Sequence, residues 1–529
     1  MAPQPHAHWG LTIEHYAQFY GPADARKRLD LVDGIQGPAL AAMEQISKLT
    51  PNRIDHGVTL LDLHSILNFS CWPSSYSRFT SPLLVSGCIQ IMATIKVSGK
   101  TSPFSYEYSY LCFRTMTIAL GTCLVKNHSA SQLAMVIKYL REETMTDLSL
   151  IKMHSALVAM TVEQAIDHAS TSTLGKERNN CIIGWSHCRE HPGREDAISM
   201  ADAVTLLAIL WDDRELFLRA MSNTLSPGLS PIVYVLWRYV IYERHIQGSS
   251  IPQSRMLMIL FVEIFWRLFL SIGPEGRRPF QLLNAVNYQD AQIWEDSPKH
   301  SRLDDSLQIM RALTKQLRQT DPVLKCPDIN DALNYVYQHS LLGCEIELPA
   351  LIQATIHQLW DDFFFAISQD VEDKISIMNN ICTCFVRIAE MLKPFTTRPA
   401  ELHTVKLIVD TVVENRLLDL VGRMLLSMKP LVTELFPGGA DESTRNGSLF
   451  HASDAMFNIL SRLGPKLVII RCFKPYEADW WKFLQHLQFL KQMNIGPLNS
   501  SAFYSLAIEV WKSIWESLGY SSLIRQLFV

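Results

Sequence analysis

Cys181, His187, Cys188 and His191 fall within eleven residues of one another in a polar stretch, and thiolate with imidazole is the ligand set that zinc prefers. The spacing, C-x5-H-C-x2-H, departs from the patterns that carry four ligands to the corners of a tetrahedron, and adjacent His187 and Cys188 are poorly placed to reach one ion together. The stretch reads first as a loop that carries Cys and His, with a metal site as the sharper alternative. Cys382 and Cys384 stand two apart in a helical pattern, which points them to different faces.

Three further patterns touch on phosphate chemistry. Ser98, Gly99, Lys100 and Thr101 end like a phosphate-binding loop, whose glycines let backbone N–H groups wrap the anion. Thr94 stands where that loop requires its first glycine, and Pro103 interrupts the helix that should follow, so a Gly-Lys turn is the expectation. Asp pairs occur at Asp212 and Asp213, Asp304 and Asp305, and Asp361 and Asp362. Terpene cyclases use such pairs on helices to hold magnesium and diphosphate, with another acid one turn on. Leu216, Gln308 and Phe365 occupy those positions here, and Arg387 takes the place of the acid in the window that opens at Asn380. Asp304 and Asp305 read as carboxylates favoured at a helix start.

No G-x-S-x-G elbow and no H-E-x-x-H occurs, and the 17 histidines, among them His154, His168 and His357, show no spacing that pairs them with a nucleophile. The sequence therefore assigns no catalytic, cofactor-binding or metal residue.

Composition narrows the remaining classes. At 529 residues the chain exceeds the size at which one core usually stops growing, and 48% hydrophobic against 19% charged residues argues for folding throughout. Its 48 basic and 52 acidic residues nearly cancel, and no run of like charge exceeds Arg26, Lys27 and Arg28, so a broad footprint for nucleic acid is missing. Eleven scattered cysteines lack the dense spacing of a disulfide framework. MAPQPHAHWG has neither the charged nor the apolar region of a secretory signal, and an intracellular location, cytoplasmic or nuclear, is the expectation. The sequons at Asn68, Asn127, Asn446 and Asn499 then carry no weight.

The elements behind these residues are helices. Val405, Ile408, Val412 and Val413, then Leu417, Val421, Met424, Met428, Leu431 and Leu435, repeat at helical spacing, with a slip at Asn415 and Arg416 that marks a turn or a phase shift. Leu351, Ile352, Ile356, Leu359, Phe363 and Ile367 repeat the pattern behind Pro349, which suits a first helical turn. Similar readings hold for 38–49, 58–69, 82–97, 104–125, 130–142, 146–169, 197–222, 230–247, 301–319, 328–341, 371–393, 449–461, 476–494 and 500–518. Only Ile89 to Val97 and Leu467 to Phe473 carry enough β-branched residues to argue for strands, and a buried helix explains either equally well. Met256 to Ile272 approaches membrane-spanning length, yet Glu263 and Arg267 lie four apart within it, where a helix would pair them, so a buried core helix is expected and a membrane anchor is the alternative.

Polar stretches at 171–196 and 437–448 divide the chain into helical regions 1–170, 197–436 and 449–529. About twenty helices on short links, without an evident sheet, resemble in texture the HEAT and armadillo-like α-solenoids. The resemblance implies an all-α solenoid that binds a protein partner on a helical surface rather than an enzyme. No sequence period is found beyond the identical Leu-Trp-Asp-Asp at 210–213 and 359–362, so an irregular multi-helix bundle stays open, as does an all-α enzyme whose site assembles only in three dimensions. Trp480, Trp481, Phe483, Phe489, Phe503, Tyr504, Trp511 and Trp515 concentrate aromatic side chains near the C-terminus, as core stripes or as a partner-binding surface.

Overall fold

The computed structural model describes residues 6–21, 36–49, 57–142, 147–171, 182–185, 195–225, 228–247, 252–299, 301–319, 329–368, 371–397, 401–427, 440–493 and 500–520. These residues form twenty-three α-helices and one two-stranded ribbon, so the chain is all-α. Two compact units are formed, Met1–Pro298 with Asp321–Pro327, and Lys299–Thr320 with Asp328–Val529.

The first unit is built around helix Glu107–His128, which is buried on nearly every side along its length. A helix apolar all round belongs in an interior, and Leu60–Phe69, Pro82–Thr94, Ala130–Glu142, Asp147–Thr171 and Ser230–Gln247 pack against it. Local chemistry sets their ends. Thr59 and Asp62 form a reciprocal capping box at the start of Leu60–Phe69, Ser199 accepts from the Asp202 amide at the start of Met200–Asp212, and Pro82 occupies the opening turn of its helix. Gly87 lets Pro82–Thr94 lie against Gln36–Ser47, because a Cβ there would fall 2.1 Å from the Ile46 carbonyl oxygen.

In the second unit Val371–Leu392 packs against Ile329–His339, Leu348–Ile367 and Ala440–Ser461, and Glu477–Met493 pairs with Ser500–Trp515. The slip at Asn415 and Arg416 is a turn, with Arg416 at φ 57° between helices Leu402–Glu414 and Leu417–Ser427. Residues 428–435 of that periodic pattern lie outside the described residues.

Both strand candidates are mainly helical: Lys466–Phe473 is a helix, and Ile89 to Thr94 ends one. Lys96–Val97 then pairs with Lys100–Thr101 in an antiparallel ribbon whose two-residue turn is Ser98 and Gly99, both at positive φ. Apolar β-branched runs of this length suit either state, and here the three-dimensional surroundings select the helix.

Candidate functional site

Several sequence candidates are structural once placed. The Ser98 to Thr101 segment is the tip of the hairpin, with no helix start to receive an anion. Asp213 is buried between helices Met200–Asp212 and Arg214–Asn223, where Oδ1 accepts from the Ser102 hydroxyl at 2.8 Å and Oδ2 from the Phe104 amide at 2.8 Å. Burial pushes its carboxyl up to about 7. Asp304 and Asp305 sit in the first turn of Leu303–Arg318, and Asp362 accepts from Gln358 on its own helix. Cys382 and Cys384 are both buried, and burial pushes the Cys382 thiol up to about 12. Cys181, His187, Cys188 and His191 lie outside the described residues. Among the described residues no three His, Cys, Asp or Glu side chains converge where a metal ion could sit.

Trp480, Trp511 and Trp515 are fully buried. The Trp480 and Trp511 indoles each donate to the other's carbonyl oxygen at 3.1 Å, and Trp515 stacks between Trp480 and Tyr520. Those three members of the C-terminal aromatic group are core.

Three arrangements that sequence spacing did not single out emerge from the packing. In the first unit Tyr76 and His154 stack face to face at 4.2 Å on the wall of a small cavity also lined by Ser70, Thr117, Ile118, Ser155 and Val158. The His154 Nε2 meets Thr122 Oγ1 at 3.2 Å, and burial holds the imidazole down at about 4, so it is neutral. The cavity has room for about one water molecule, which makes it a packing and hydration site rather than a substrate pocket.

Glu107 opens the central helix with its carboxylate buried. Oε1 accepts from the Tyr20 hydroxyl at 2.6 Å and lies 3.4 Å from His64 Nε2, and Oε2 accepts from the Leu11 amide at 3.1 Å. Burial works to raise this carboxyl, but the bonds from His64, Tyr20 and Leu11 outweigh it and hold the group below the usual carboxylate range. The same three bonds tie the N-terminal segment and helix Leu60–Phe69 to the central helix.

The third arrangement lies on the surface of the second unit. Phe363, Phe364 and Phe365 are consecutive on helix Leu348–Ile367, and successive helical residues turn by about 100°, so one inward face cannot take all three. Phe363 is buried, whereas Phe364 is 56% and Phe365 37% exposed, with Ile367 50% exposed beside them. Phe364 stacks on half-buried Trp360 at 5.5 Å. The Trp360 indole N–H is used by the Asn415 carbonyl at 3.1 Å, and the Arg423 guanidinium lies 5.8 Å from its ring. Asn415 closes Leu402–Glu414 and Arg423 belongs to Leu417–Ser427, so the turn at Arg416 is what brings both to Trp360.

No protein-family model, curated protein or solved structure matches the chain.

Proposed function

We propose that the protein is a non-enzymatic interaction scaffold that binds a protein partner through the aromatic end of helix Leu348–Ile367. The observation that carries this reading is the exposed Phe364, stacked on a fixed Trp360 with Arg423 alongside. Aromatic side chains and arginine dominate the energetics of binding hot spots, and apolar side chains grouped on a surface mark contact sites. Trp360 loses little freedom on binding because Asn415 already holds it.

The arrangement of the second unit supports an irregular solenoid of the armadillo-like kind as the scaffold. Leu348–Ile367 packs on Leu303–Arg318, Val371–Leu392 and Leu402–Glu414; Val371–Leu392 packs on Ala440–Ser461, and that helix on Ser500–Trp515. These pairings join helices one to four places apart in chain order, a spread that suits an irregular stacked array better than a regular one. The near balance of 48 basic and 52 acidic residues favours a protein over a nucleic acid as the partner.

The test compares wild-type protein with Phe364→Asp, both verified as helical by circular dichroism, as bait in native extract with quantified capture. A partner retained by the wild type and depleted about 30-fold by the substitution is the expected result, the loss typical of a hot-spot residue. Equal capture by both baits overturns the reading, as does a partnerless monomer that retains a small molecule tightly.

A further inference from the structure

Residues His6 to Thr12 form a strap laid across the start of the central helix of the first unit. The Glu107 amide donates to the Leu11 carbonyl at 2.8 Å and the Tyr108 amide to the Trp9 carbonyl at 3.2 Å, while the Leu11 amide donates to Glu107 Oε2. Gly10, at φ 73°, lies so close to the carboxylate that a Cβ there would come 2.7 Å from Oε2. The strap therefore seals the face of Glu107 opposite Tyr20 and His64.

An imidazole sits inside the turn that opens the strap, whose other end is held by the Thr12–Tyr106 bridge. The His6 and Gly10 amides and carbonyls exchange bonds at 2.8 and 3.0 Å. Inside that turn, His6 Nδ1 accepts from the His8 amide at 3.3 Å and the Trp9 amide at 3.1 Å. The ring stacks on Trp9 at 4.7 Å, with Tyr106 at 5.6 Å behind it. A nitrogen that accepts two N–H groups carries no proton of its own. Protonation would set a third N–H against the two already there and convert two attractive contacts into repulsive ones.

We infer that His6 is a pH-sensitive latch: neutral, it closes the His6–Thr12 strap over Glu107, and protonated at Nδ1 it releases the strap and exposes the Glu107 carboxylate to solvent. The other titratable groups around the strap are His8 on the strap itself, Glu14 and His15 on helix Ile13–Phe19, Asp62 and His64 from helix Leu60–Phe69, and Tyr106, Glu107 and Tyr108 on the segment it pairs with. Glu107 is held ionised by its bonds and does not gain a proton over the range in which imidazoles titrate. Two backbone amides of its own turn depend on His6 Nδ1.

The test is hydrogen exchange of the amides of residues 8–11, 107 and 108 in the full chain at pH 7.5 and pH 5.0, corrected for the intrinsic pH dependence of exchange. Asn is the informative replacement, since its side-chain oxygen accepts from the second and third following amides in the same turn geometry without titrating. The wild type is expected to lose protection roughly tenfold or more at pH 5.0, the worth of two hydrogen bonds. His6→Asn is expected to stay protected at both pH values, and His6→Ala to be unprotected at both. Equal wild-type protection at the two pH values overturns the proposal. So does a His6→Asn variant that still opens at pH 5.0, since another group would then be the switch.

Discussion

The Glu263 carboxylate and the Arg267 guanidinium meet at 2.8 Å, one helical turn apart on Pro252–Phe269, with Arg267 only 1% exposed. The pair has further partners: the Trp294 indole donates to Glu263 Oε2 at 3.2 Å, and Arg267 donates to the Arg214 carbonyl at 3.0 Å. The most apolar run of the chain is thus a core helix of the first unit, with its two charges satisfied inside. No helix among the described residues is long and apolar enough to cross a membrane.

Arg267→Met leaves the Glu263 carboxylate buried with the Trp294 indole in place of its counter-charge, and is expected to cost about 3–5 kcal/mol in urea unfolding. Replacing both, Glu263→Leu with Arg267→Met, removes the uncompensated charge, and the double variant is expected to recover most of that loss. A double variant whose loss equals the sum of the two single losses would show that the charges act independently.

Asp213 predicts the opposite of ordinary acid denaturation. Its carboxyl is pushed up from 3.8 to about 7, first by burial, so the folded state favours the neutral form. The associated stability is complete below pH 4 and is lost as pH rises through 7. At about 1.4 kcal/mol per unit the whole effect is of order 4 kcal/mol. Hydrogen exchange of segment 102–106 and helix Arg214–Asn223 should therefore quicken between pH 5 and pH 8 beyond the intrinsic rate. Asp213→Asn should flatten that dependence, and an unchanged slope in the variant would assign it to another group.

These two sites show what can and cannot be seen in one dimension. The Glu263 and Arg267 pairing follows from a spacing of four, and helix 230–247 was legible to its ends because apolar periodicity and terminal residues agree. Helix Arg277–Glu295 buries Phe280, Leu283 and Trp294 on one face, but its first turn carries Pro279 behind Gly273 and Gly276, a run that reads in one dimension as a break. The expected helix 197–222 breaks at Asp213, whose partners Ser102 and Phe104 lie more than a hundred positions away. Ile182 to Trp185 fall in a stretch expected to be a polar loop, yet they are buried, held by Asn127 on the Ile182 carbonyl and by the Trp185 indole on Ile198. The aromatic surface at Phe364 had a readable signal in three consecutive phenylalanines. The Glu107 cluster had none, since it joins Leu11, Tyr20 and His64 from separate elements.

Gly87→Ala tests a close helix contact. The Cβ it adds would overlap the Ile46 carbonyl oxygen at 2.1 Å and the Ile46 side chain at 2.7 Å, and a backbone atom cannot swing aside as a long side chain does. Although alanine favours helix by about 1 kcal/mol over glycine, the overlap is expected to win and destabilise the first unit by about 1–3 kcal/mol. Gly37→Ala, which meets nothing within 4 Å, is the control and should be neutral or mildly stabilising. A stabilised Gly87→Ala protein would mean that the two helices can separate at little cost.

The C-terminal tryptophans separate a core role from a binding role. Trp480 and Trp511 each donate to the other's carbonyl, both are out of solvent, and the Phe483 ring lies 5.5 Å from Trp511. Trp480→Phe keeps most of the ring volume and removes one donor, for an expected loss of about 1–2 kcal/mol, whereas Trp480→Ala opens a cavity and should cost about 3–5 kcal/mol. Urea unfolding followed by circular dichroism gives both numbers. A docking surface would respond differently, because truncating an exposed aromatic such as Phe489 changes affinity and leaves the fold intact. Trp480→Ala with wild-type stability would remove Trp480 from the core and return the C-terminal aromatics to the candidates for partner binding.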